Sequence, residues 1–87
     1  MNVEELRDRY ELLIEQEDRL LRQIGTGEMY LCTLLETMYH KDREVDPGAA
    51  KELAQRMYAY TEERRTELWQ VRLEKTILAM QLKPESR

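Results

Sequence analysis

Eighty-seven residues with 37% charged side chains, three glycines, two prolines and no phenylalanine cannot build a β-sandwich or a large core, and they fit one domain of long, solvated helices. The net charge of −4 comes from interleaved acids and bases with no basic stripe, which disfavours nucleic acid as a partner. Cys32 is the single cysteine, so it has no internal disulfide partner and no companions for a zinc site; a buried or half-buried free thiol is expected.

The chain opens with charge inside its first five residues and contains no apolar run long enough for a signal peptide or a membrane span. Residence in the cytoplasm is the expectation, with leaderless export left open. Asn2 followed by Glu5 has the spacing of a capping box, which starts a helix by satisfying its free amide groups. From there Val3, Leu6, Tyr10, Leu13, Glu17, Leu20, Ile24, Gly27, Leu31, Leu34 and Met38 recur at alternating three- and four-residue steps. This is a heptad ladder that only Glu17 and Gly27 interrupt. Glu15 with Arg19, and Asp18 with Arg22, stand one turn apart on the outer face.

Gly25-Thr26-Gly27 is the one weak point of this stretch. Two glycines cost roughly 2 kcal/mol relative to alanines, enough for a bend but small against the packing of a long amphipathic helix. Leu31, Leu34 and Met38 continue the ladder without a change of phase, which a loop would have no reason to preserve. The expected element is therefore one helix over about 3–43. His40, Lys41 and Arg43 place positive charge at its end. A turn at 44–47 follows, with Asp46 as N-cap and Pro47 as first residue of a second helix that runs to about 82 and is stopped by Pro84. Residues 83–87 form a short tail.

The second ladder reads Ala50, Leu53, Met57, Tyr60, Arg64, Leu68, Val71, Lys75, Leu78 and Leu82, with one extra four-residue step at Arg64. Folding the helices antiparallel, so that facing numbers total about 91, sets apolar rungs against apolar rungs. Met38 meets Leu53, Leu34 meets Met57, Leu31 meets Tyr60, Ile24 meets Leu68, Leu20 meets Val71, Leu13 meets Leu78 and Tyr10 meets Leu82. The exceptions match too: Glu17 falls opposite Lys75, and Arg64 opposite Gly27 and near Glu28. The expected fold is all-α, a long antiparallel helical hairpin of ~50–60 Å at 1.5 Å per residue. It forms a single domain over 1–87, completed by dimerisation or a partner. The alternative is a three-helix bundle in which the glycines break the first helix.

One seam does not use all the apolar residues. Ile14, Leu21 and Leu35 flank the first ladder, and Trp69, Leu73, Ile77 and Met80 form a stripe pointing away from Val71, Lys75 and Leu78. Burying those last four side chains is worth on the order of 6 to 10 kcal/mol as an upper bound. In a three-helix bundle this stripe is core. In a hairpin it is an interface, with Trp69 as its anchor and Ile14 and Leu21 beside it.

Little chemistry is written here. His40 is the only histidine and belongs to a solvated helix end, and Ser86, the only serine, sits in the tail. The carboxylates occupy outer-face positions or stand opposite bases, and no strand precedes the glycine pair, so a phosphate loop is not expected. No catalytic residue, metal, cofactor or small-molecule substrate is expected.

Val3-Glu4-Glu5-Leu6-Arg7-Asp8-Arg9 and Asp18-Arg19-Leu20-Leu21 resemble the first helix of the all-α chorismate mutases, over the first quarter of the chain. That resemblance implies a helical dimer whose inward arginines and lysine grip a dicarboxylate, yet Gly25-Thr26-Gly27 occupies the segment where one such residue belongs. In length and acidity the chain is similar to the small helical hairpins of type VII secretion. Their Trp-x-Gly turn is replaced by Asp46-Pro47-Gly48, and a Tyr-x-x-x-Glu spacing at Tyr58 and Glu62 lies within the second helix. A hairpin of this kind is equally similar to type III secretion chaperones. The resulting expectation is a non-enzymatic adaptor or secretion-type chaperone that binds a protein partner or a second copy. A small acidic inhibitor of a basic target is the alternative.

Overall fold

The computed structural model describes residues 2–40 and 44–83. Helix α1 spans Val3–Tyr39 and α2 spans Pro47–Leu82, and the two lie antiparallel along one seam. The chain is an all-α helical hairpin.

Each start follows the local sequence. The Asn2 side chain accepts a hydrogen bond from the Glu5 amide at 2.8 Å while the Glu5 carboxylate accepts from the Asn2 amide at 3.0 Å, closing the capping box. At α2, Asp46 Oδ2 accepts from the Ala49 amide at 2.8 Å and Pro47 fills the first helical position, where its missing N–H is not needed. Lys83 caps the end of α2 in an extended conformation, as the steric demand of a following proline dictates. Pro84 itself, named above as the stop, lies outside the described residues.

Helix α1 passes through Gly25 and Gly27 unbroken, and neither glycine takes a positive φ. It ends at Tyr39, with extended His40 as C-cap, and its last turn carries no basic side chain. The expected run to residue 43 is therefore shortened, and Lys41 and Arg43 lie outside the described residues. Cys32 is exposed rather than buried, on the outer side of α1.

The seam is densest in the half remote from the turn. Leu13 is 1% exposed, and Leu20, Ile24 and Leu68 form the buried cluster on which Val71 packs, as the Ile24–Leu68 and Leu20–Val71 pairings require. Leu78 is buried as well, and Tyr10 and Leu82 border one hollow near the open end.

The second ladder needs one correction. Its rungs are Ala50, Ala54, Met57, Thr61, Arg64, Leu68, Val71, Lys75, Leu78 and Leu82, a four-three alternation with no extra step. Thr61 is 2% exposed, whereas Leu53 and Tyr60 are 50% and 42% exposed on the flank. Leu53 therefore does not face Met38, nor Tyr60 face Leu31; Leu31 and Met38 border a groove with Ala54 and Tyr58 instead. The physical reason lies in Gly27. A Cβ there would collide with Thr61 Cγ2, so the two helices approach too closely for a tyrosine rung.

Candidate docking surface

Among the described residues four interhelical ion pairs flank the seam. Lys75 Nζ donates to Glu17 Oε1 at 2.5 Å and Arg72 Nε to Glu17 Oε2 at 2.6 Å, so the inward Glu17 sits against Lys75 as its heptad position requires. Those hydrogen bonds, from Lys75 first and Arg72 second, hold the Glu17 carboxyl below its ordinary value of 4.5 against a smaller opposing effect of burial. Arg9 donates to Glu74 at 2.5 Å on the opposite flank, and Arg65 pairs with Glu28. Arg64 was expected to take Glu28 and the space over Gly27. Instead its stem lies in the seam and its guanidinium turns outward to Glu67 at 3.1 Å and Glu63 at 3.2 Å, with the Tyr60 ring 5.1 Å away.

These pairs set the character of the outer faces. Between Trp69 and Leu82 the only charges on α2 are Arg72, Glu74 and Lys75, and all three reach across to α1. The back of α2 over that stretch is left to Trp69, Gln70, Leu73, Thr76, Ile77 and Met80, without a charge. Trp69 is 64% exposed and Met80 68%, with Leu73 and Ile77 about half exposed. The back of α1 alongside it is charged and mostly acidic, carrying Glu4, Asp8, Glu11, Glu15 and Asp18 with Arg19 and Arg22 among them.

The structure brings some of the sequence-derived interface residues together. Trp69 and Leu21 border one concavity, floored by Ile24 and Leu68 and closed by Glu28, Arg65 and Arg72. Ile14 is exposed one heptad further along the same flank of α1. Leu73 and Ile77 stand apart from this concavity, on the side of α2 facing away from α1. The sequence reading named Leu35 as left over from the seam but missed the rest of a second set of apolar side chains in the turn-proximal half. Tyr30, Leu53, Met57 and Tyr60 border a groove on one flank, and Leu35, Met38 and Tyr58 border one on the other. The unbroken four-three spacing through Ala54 and Thr61 was the signal that would have turned Leu53 and Tyr60 outward.

Among the described residues no group of His, Cys, Asp and Glu side chains is placed to hold a metal ion, and no helix is long and apolar enough to cross a membrane. Comparison with protein families, curated proteins and solved structures finds no match to this chain.

Proposed function

We propose that this protein is a non-enzymatic interaction module, an adaptor or secretion-type chaperone, that works by helix-to-helix burial on the outer face of α2. One observation carries the reading: Trp69, Leu73, Ile77 and Met80 stay exposed after the hairpin has closed, and the three charges of α2 between Trp69 and Leu82 all pair with α1. Such an uncharged face, with Trp69 and Met80 at its two ends, has the composition of an interface centre. The soluble interior of a cell is a fitting place for it.

The test is a double substitution, Trp69→Asp with Leu73→Asp. Association should be lost while far-ultraviolet circular dichroism keeps its helical signal, because neither side chain belongs to the seam. Collapse of helicity in a monomer would assign the stripe to the core. The charged back of α1 supports a second reading, an acidic inhibitor docking on a basic surface. Added salt separates the two, since ionic docking weakens steeply and apolar docking does not.

A further inference from the structure

We propose that the occupant of this face is a second copy of the same chain, packed antiparallel on α2 about a twofold axis through residues 74–75. This deepens the docking reading above by naming the partner.

The spacing of the stripe is self-complementary. Trp69 and Met80 centre midway between residues 74 and 75, and Leu73 and Ile77 centre on residue 75, within half a residue of the same level. An axis at that level therefore sets Trp69 of one copy against Met80 of the partner subunit, and Leu73 against Ile77 of the partner subunit. Each large or flexible side chain meets a complementary one, as an isologous interface requires. The same rule of facing positions places Ile24 by Leu68 and Leu20 by Val71 within the hairpin.

Charge at the two ends selects the direction. Toward the turn the stripe is bounded by Glu62 and Glu63, exposed but paired within α2 to Arg65 and Arg64, and at the other end by exposed Lys83. In the antiparallel arrangement Lys83 comes about one turn from the partner's Glu62, whereas a parallel arrangement would set Glu62 beside Glu62 and Lys83 beside Lys83. Nothing charged is trapped between, because Arg72, Glu74 and Lys75 are held on the α1 side.

The available area suits a reversible dimer. At the exposures observed, the four apolar side chains offer roughly 500 Å² per copy, about 1,000 Å² in all, which is the lower limit for a specific interface. Cys32 gives an internal control. It lies so far along the rod from the axis that the two thiols of a dimer would be about 50 Å apart, far beyond the ~7 Å that a disulfide allows between Cα atoms.

Single-cysteine chains carrying Leu73→Cys or Ile77→Cys, each with Cys32→Ser, test the register under mild oxidation. An equimolar mixture should give a covalent dimer faster than either chain alone, and the wild-type chain, by light scattering, should approach twice its 10.5 kDa mass at tens of micromolar while Cys32 stays unlinked. A dimer that cross-links through Tyr58→Cys or through Cys32 instead would overturn the assigned face. A monomer at every concentration would overturn the second copy as occupant. The broader docking reading would survive that result if Leu73→Glu, with helicity intact, still abolished capture of a protein from the cells that make this chain, and would fall with it if capture were unchanged or absent.

Discussion

Gly25 and Gly27 stand two residues apart in α1, and a methyl group would have opposite effects at them. Around Gly25 a Cβ would meet nothing within 4 Å, so Gly25→Ala should stabilise the hairpin by about 1 kcal/mol through backbone entropy alone. At Gly27 the added carbon runs into Thr61 Cγ2, a stiff β-branched group in a buried position. Overpacking there outweighs the gain in helix propensity, and Gly27→Ala should lose about 1 kcal/mol net in urea unfolding. Thr61→Ser, which removes Cγ2 and keeps the hydroxyl that donates to the Tyr58 carbonyl, should relieve that loss. Glu17 makes the other residue-scale prediction. Its carboxyl has a lowered pKa in the fold, so it contributes stability above 4.5 and loses it as pH falls through the depressed value. Glu17→Gln should cost about 1 kcal/mol at pH 7, and the difference from wild type should close toward zero near pH 2. A constant difference across that range would mean that Glu17 acts by packing and not by charge. The Glu17–Lys75 pair was legible from spacing because both residues hold unambiguous heptad positions. Arg64 was not, since a long side chain can leave the seam from the same rung.

At the scale of the helices, the order of elements, both N-caps and the end of α2 could be read directly, because Asn2-x-x-Glu5, Asp46-Pro47 and the residue before Pro84 are local signals. The end of α1 could not, as nothing in the sequence around His40 breaks a helix strongly. Nor could the register of α2 in its first half. Leu53 and Tyr60 are larger and more apolar than Ala54 and Thr61, so hydrophobicity pointed one residue away from the spacing. What decided it was close approach at Gly27, a property of both helices together. Alanine substitutions should report the true seam: Leu13→Ala should cost about 2–4 kcal/mol, as a fully buried leucine does, while Leu53→Ala and Tyr60→Ala should cost well under half of that. Equal losses at all three would restore the register with an extra step.

For the whole molecule, the closed seam leaves a surface divided by chemistry. The back of α1 is charged and the back of α2 beyond Trp69 is not, because the charges of that segment are spent on ion pairs with α1. The uncharged stripe was visible in the sequence as a spacing of four, four and three out of phase with the ladder. Its exposure depended on the glycines leaving α1 whole, since three shorter helices would have enclosed it. Trp69 is the only tryptophan of the chain and sits at the edge of this face, so its own fluorescence reports the event that matters. The most direct measurement is acrylamide quenching of Trp69 against protein concentration, followed alongside mass. An open, readily quenched tryptophan in the dilute monomer should become shielded and blue-shifted as the dimer forms. A tryptophan already shielded in the monomer, or one that stays open while the mass doubles, would contradict the assignment of α2's outer face as the docking surface.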